Sequence, residues 1–353
     1  MRLKAITKEV FSWMLAIVIW LVVITVLIEV GYHFFRPSLY KNDRLLGWEL
    51  QPDLNTKIVQ HSLDGREYPV DFTTDHNGLR TYGQNPQAAH RILVLGDSFT
   101  GEPTASNDKM WFASMARELA RRTHTPLEDY YVWAGGAGGW GTYQNLLLSA
   151  QLLKKIRPTL FVLQFCTNDF SNNHFEWESQ GIVRNQYMRR PFATLNDLDR
   201  PHYDESLLGK AYRSLIGESK VFNSLDALVQ RFQYQSYGGY GKPVSTETQL
   251  RFEAESVALT QQLLSKLREN FPDIPAVMVN CDGDPSGLNR HWMPLAKEAG
   301  FIPLSSPSDF LHTAKSAGNK QAFNQDGAHL SEEGNQQFGS ILADALIARD
   351  ILP

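Results

Sequence analysis

The chain has 353 residues, 20% of them charged and 42% hydrophobic. That is an ordinary globular composition, with length for one large domain or two small ones. A formal net charge of −4 gives no electrostatic support for a nucleic-acid partner, and the only two cysteines, Cys166 and Cys281, are too few for a disulfide scaffold or a structural zinc site.

Val10 to Ile28 carries no charged side chain, a run of about 19 residues that as a helix covers roughly 28 Å of hydrocarbon. It is too long for the apolar core of a secretory signal, and Tyr32-His33-Phe34-Phe35-Arg36 is a poor cleavage context. It is also apolar all round, unlike a surface helix. The expectation is an uncleaved signal anchor over residues 1–35. Arg2, Lys4 and Lys8 precede the run, which keeps the amino end cytoplasmic and the remainder periplasmic or extracellular. Arg36, Lys41 and Arg44 on the far side oppose that asymmetry.

Residues 36–90 read as a short β-rich extension. Ile58-Val59 and Tyr68 to Phe72 look like strands, and Asp75-His76-Asn77-Gly78 like a turn. From residue 91 to 353 the pattern alternates. Ile92–Leu95, Tyr130–Trp133, Leu160–Leu163, Ala276–Val279 and Phe301–Leu304 are short apolar runs that read as buried strands. Between them lie helical stretches at Trp111–Leu119, Tyr143–Ile156 and Leu288–Ala299. Thr246 with Gln249 forms a capping-box pattern for a helix to about Glu269, and Ser331-Glu332-Glu333 opens a last helix to about Ala348. Such alternation predicts an α/β fold, a parallel sheet with helices on both faces. Residues 171–245 break the rhythm. They are rich in aromatics, among them Phe175, Trp177, Tyr187, Phe192, Tyr234 and Tyr240, and in arginine, with Arg184, Arg189, Arg190 and Arg200. A connection this long predicts an inserted cap or lid.

Three blocks fall at the end of a strand or the lip of a helix, and parallel sheets bind ligands at their strand ends. Ser98 follows the first strand within Gly96-Asp97-Ser98; alone, such a tripeptide is also an ordinary turn. Asn168 follows the third strand, and its amide can donate to an oxyanion or close an Asx turn. Asp326 and His329 stand three apart just before the last helix, a spacing that lets the carboxylate orient the imidazole as a base for a serine hydroxyl. His174, His291 and His312 have no acid at comparable spacing in a strand-end loop. The glycine run from Gly135 to Gly141 follows the second strand and lets backbone approach a ligand. It lacks the Lys-Ser/Thr of a phosphate loop, no dinucleotide fingerprint fits, and no metal-ligand spacing is present. No cofactor or metal is expected.

Taken together, Gly96-Asp97-Ser98-Phe99-Thr100, the glycine run, Thr167-Asn168-Asp169 and Asp326-Gly327-Ala328-His329 resemble the blocks of the SGNH (GDSL-type) hydrolase family, over roughly residues 91–170 and 246–350. The resemblance implies a three-layer α/β/α sandwich on a flavodoxin-like sheet. It implies Ser98 as nucleophile, His329 as base and Asp326 as its partner. It implies an oxyanion hole from the backbone N–H of Ser98, the backbone N–H of Gly139 and the side chain of Asn168, with Gly136 and Gly138 as alternatives to Gly139. The chain departs from the family pattern at Ala134, where Asn is usual, and at Cys166, where Gly is frequent. The expected activity is that of a membrane-anchored serine esterase acting on an acyl ester, acetyl among the candidates, of a glycan or lipid. O-acetyl transfer to a cell-surface polysaccharide and an inactive glycan-binding scaffold are the alternatives. One long-range bridge between Cys166 and Cys281 and two unpaired thiols both remain open.

Overall fold

A computed structural model of the chain describes residues 2–35, 38–181, 183–214, 216–237, 241–283 and 286–351. Arg36 and Tyr240, and the end of the expected catalytic domain at 352–353, lie outside the described residues, as does the side chain of Arg184. The chain opens with helix α1 (Arg2–Phe35). Its stretch Glu9–Tyr32 is long and apolar enough to cross a membrane and stays unburied.

Two antiparallel hairpins follow, β1 (Tyr40–Asp43) with β2 (Gly47–Leu50), and β3 (Asn55–His61) with β4 (Glu67–Thr73). Strand β4 buries Tyr68, Val70 and Phe72 and exposes Glu67, Pro69 and Asp71, the two-residue alternation of a sheet with one face covered. The next strand, β5 (Arg80–Tyr82), leaves these hairpins and joins the main sheet.

The main unit runs β6 (His90–Leu95), α2 (Ser98–Gly101), α3 (Trp111–Thr123), β7 (Tyr130–Gly135), α4 (Thr142–Leu152) and β8 (Leu160–Phe165). The insertion then holds α5 (Asp169–Asn173), α6 (Phe175–Glu178), α7 (Arg184–Arg189), β9 (Phe192–Thr194), β10 (Asp197–His202), α8 (Leu207–Ser214) and α9 (Lys220–Tyr237). The rhythm resumes with α10 (Thr246–Glu269), β11 (Ala276–Asn280), α11 (Trp292–Glu298), β12 (Ile302–Pro303), α12 (Ser306–Ser316) and α13 (Glu332–Ile347).

Strands are ordered β12-β11-β8-β6-β7-β5. The five from β6 onward are mutually parallel and follow the flavodoxin-like order, in which the chain switches direction between its first and third strands. The expected wholly parallel sheet needs one correction: β5 pairs antiparallel with β7, Arg80 opposite Ala134. Its three residues gave no apolar run to announce a strand.

Alternate residues of each strand feed two cores. Leu93, Leu95, Phe161, Leu163 and Met278 pack with α4, α10 and α11, while Ile92, Val94, Val132, Val162 and Val277 pack with α3 and α13. Each such fully buried side chain contributes about 1.5–3 kcal/mol of transfer free energy, so every parallel strand is held from both faces. Helix α3 ends at His124, in a left-handed conformation with φ 56°, after Arg121 and Arg122 in its last turn, where cations complement the exposed carbonyls.

Three local expectations shift. The cap of α10 is Ser245, whose hydroxyl accepts from Thr248 N at 3.1 Å, so Thr246 is the first helical residue. Helix α4 stops at Leu152 and turns instead of continuing to Ile156. Residues 287–291 form a tight 3-10 turn before α11. Helix α12 and the long α9 were not anticipated.

Candidate active site

The site lies at the switch between β6 and β8. After β6 the chain turns sharply at Gly96-Asp97. The Asp97 carboxylate accepts from Phe99 N at 3.0 Å and caps the single turn of α2, which starts at Ser98. Buried Gln164 of β8 fixes this turn, its Oε1 accepting from Asp97 N at 3.1 Å and Thr100 Oγ1 at 2.9 Å. Burial pushes the Asp97 carboxyl upward, against hydrogen bonds from Phe99 N, Gln164 and Asn168 and the nearby His329.

The loop before α13 brings His329 to this turn. His329 Nε2 lies 2.8 Å from Ser98 Oγ, and His329 Nδ1 lies 2.6 Å from Asp326 Oδ2. The other carboxylate oxygen of Asp326 accepts from the backbone N–H groups of Ala328 and His329, both at 2.9 Å. Burial opposes ionisation of Asp326, but these bonds and the adjacent imidazole outweigh it and bring the carboxyl down to about 2. Burial likewise disfavours the charged His329, yet the bond and charge of Asp326, then the Asp97 and Glu102 carboxylates, raise its pKa above the ordinary value. The ring of Phe99 sits 5.3 Å from the imidazole, centroid to centroid.

The glycine run packs directly on the Gly96-Asp97-Ser98 turn. A Cβ on Gly136 would come within 2.6 Å of the Asp97 carbonyl, so the close approach requires glycine. Gly139 has φ +75°, a left-handed conformation, with the Gln186 amide against its Cα. Its carbonyl accepts from Asn172 Nδ2 at 3.0 Å. Asn168 begins α5 without capping it through its side chain, which lies close enough to the Asp97 carboxyl to favour its ionised form. Thus Ser98, His329 and Asp326 form one chain of hydrogen bonds, with Asn168 and the glycine loop bordering the same turn. His174 instead bonds Glu255 at 3.0 Å, away from this chain.

Cys166 and Cys281 are joined as a disulfide with Cα atoms 5.1 Å apart, within the range that a bridge spans. It ties the residue after β8 to the residue after β11. The carboxylate of Asp97 and both sulfurs fall within 4.8 Å of one another, so the bridge lies beneath the Gly-Asp-Ser turn.

Several contributors were not foreseen. Glu102, one helical turn after Ser98, is half-buried beside the site. Its carboxyl is pushed upward by burial, against the hydrogen bond from Tyr40 and the nearby His329. That four-residue spacing was the available signal. From the extension, Trp48 Nε1 donates to Gly138 O at 3.1 Å. The β3–β4 hairpin grips the loop before Asp326, with Gln325 N donating to His61 O at 2.9 Å and Leu63 N to Phe323 O at 2.9 Å. Contacts this remote in sequence leave no local trace. Fully buried Arg190 reaches Gln144 Oε1 at 2.8 Å and Glu178 Oε1 at 3.0 Å, clamping the insertion onto α4. A cleft of about 370 Å³ adjoins the glycine loop, lined by Ser171, Trp177, Glu178, Gln180, Gln186 and Lys242 among others.

No family model and no curated protein matches the chain. Solved structures similar to it include a chain of Parabacteroides merdae described as a GDSL-like lipase, at 14% identity and TM-score 0.41, covering 75% of this chain and 98% of that one. An acetyl xylan esterase matches at 16% identity and TM-score 0.37, covering 73% and 98%. A family 3 carbohydrate esterase of Clostridium thermocellum matches at 12% identity and TM-score 0.38, covering 75% and 99%. At these TM-scores the likeness fixes no activity for this chain.

Proposed function

We propose that the chain is a serine esterase of the SGNH (GDSL-type) class, held at a membrane by α1 with its catalytic unit on the periplasmic or extracellular side. The observation that carries this reading is the bonding of one imidazole to two partners. His329 Nε2 faces Ser98 Oγ at 2.8 Å while Nδ1 faces Asp326 at 2.6 Å.

In this mechanism Ser98 Oγ attacks the ester carbonyl carbon and its proton passes to His329 Nε2. Asp326 holds the Nδ1–H and stabilises the imidazolium. The carbonyl oxygen becomes an oxyanion, held by the backbone N–H groups of Ser98 and Gly139 and by the Asn168 amide. Collapse breaks the bond to the alcohol oxygen, which leaves with the proton from His329. Water, deprotonated by the same imidazole, then attacks the acyl-serine and releases the acid.

The cleft beside the glycine loop supports a polar, hydroxyl-rich alcohol portion, since Glu178, Gln180, Gln186 and Lys242 border it. The same cleft favours a second reading, in which a glycan hydroxyl replaces water and the acyl group is transferred. A fluorophosphonate probe tests the first claim: it labels the wild type and fails on Ser98→Ala. Equal labelling of both would remove Ser98 as nucleophile. Acetate release from an acetyl ester, with and without added saccharide, separates hydrolysis from transfer.

A further inference from the structure

Helix α9 is amphipathic the wrong way round for a helix bathed in water. Its apolar residues point outward: Leu225 is 52% exposed, Leu228 55% and Phe232 69%, with Phe222 and Val229 on the same stripe. Spacings of three and four residues keep these on one face. Asn223, Asp226, Gln230 and Gln233 are half-buried on the side toward the protein. Asn223 Nδ2 donates to Gly217 O at 3.2 Å, and Asp226 accepts from the Tyr212 hydroxyl at 2.7 Å. Asp226 is the only acid in the helix, whereas Lys220 and Arg231 supply cations. The outward surface is therefore apolar with positive charge beside it, which matches a bilayer carrying anionic headgroups.

The helix is also joined to α1. The carboxylate of Glu29 caps the start of α9, accepting from Lys220 N at 2.8 Å, Val221 N at 3.1 Å and Ser219 Oγ at 2.8 Å. Glu29 lies in the last turn of the apolar stretch Glu9–Tyr32. Helix α9 thus begins at the level where α1 reaches the outer membrane boundary. An 18-residue helix with only one apolar face lies in the interface and does not cross the bilayer.

We infer that α9 is a second membrane contact, an in-plane helix whose Phe222–Phe232 stripe sits in the outer lipid boundary beside α1. This rests on the reading of α1 as a membrane span. The full chain in bilayer nanodiscs containing anionic lipid tests it. Spin labels are placed singly at Leu225→Cys, Phe232→Cys, Trp20→Cys in α1 and Lys57→Cys on β3, and collision with oxygen is compared with collision with a water-soluble nickel complex. The α9 and α1 labels are expected to favour oxygen severalfold, and the Lys57 label the nickel complex. Nickel-favoured collision at both α9 sites with oxygen-favoured collision at Trp20 overturns the α9 inference and leaves the span standing. Nickel-favoured collision at Trp20 removes the span itself. Low collision with both agents at α9, with broadening from a neighbouring label, points to a second copy of the chain and also overturns the inference.

Discussion

The Tyr40 hydroxyl donates to Glu102 Oε1 at 2.6 Å, across 62 positions of sequence. The same hydroxyl lies 3.4 Å from Gly138 N. One phenol from the first strand after α1 therefore touches both the helical turn that starts at Ser98 and the glycine loop. Together with Trp48 on Gly138 O, it places the extension among the supports of the site. Tyr40→Phe leaves a half-buried carboxyl without its donor, a loss of about 0.5–1.5 kcal/mol. Chemical denaturation of Tyr40→Phe, Glu102→Gln and the double variant should give a coupling above about 0.5 kcal/mol. Strict additivity would show that the pair does not cooperate.

Asn168→Ala should fold normally and turn over about 100- to 1000-fold more slowly, the usual cost of one lost oxyanion donor. Steady-state kinetics beside a melting curve checks this. Wild-type turnover would remove Asn168 from the proposed mechanism.

The activity should rise with pH as His329 loses its proton, because only neutral imidazole accepts the proton of Ser98. Its raised pKa places that limb above the ordinary histidine value. Asp326→Asn removes the main cause, so the limb should move to lower pH while turnover falls by up to about 10⁴. A kcat/KM profile for both enzymes reads the shift, and an unmoved limb would contradict the assignment.

Stability follows the same pair with opposite signs. The depressed Asp326 carboxyl stabilises the fold above its unfolded value of 3.8 and loses that contribution as pH falls toward about 2. The raised His329 stabilises it below 6.5 and loses that contribution as pH rises through the folded-state pKa. The pair should therefore add most between 3.8 and 6.5. Melting temperatures of wild type and His329→Gln across this range should differ most inside it.

Reduction should loosen the site as well as the fold. Removing the Cys166–Cys281 bridge, which closes a span of 115 residues, is expected to cost about 2–5 kcal/mol. Turnover should fall with it, because Asn168 stands two residues from Cys166. Comparing wild type, with and without reductant, against Cys166→Ala/Cys281→Ala tests both effects; activity indifferent to reductant would detach the bridge from the site.

Local apolar runs made β6, β7, β8 and β11 legible, and those strands carry Ser98, the glycine run and Asn168 at their ends. Asp326 and His329 were legible because three residues of spacing suffice for one turn. What escaped is set by distant partners. Arg80–Tyr82 is a strand only because the exposed edge of β7 accepts it. The grip of His61 on Gln325 spans most of the chain, and Glu102 gains meaning only through Tyr40. Helix α9 escaped as well, since periodicity reveals an apolar face without saying which medium it meets.

The attachment of β1 to Glu102 and Gly138 has a geometric corollary. From Phe35, where α1 ends, to Tyr40 there are five Cα steps of about 3.8 Å, a leash shorter than about 20 Å. With α1 spanning a bilayer, the enzyme would work like a tool bolted to a bench, on what passes within arm's length of the lipid.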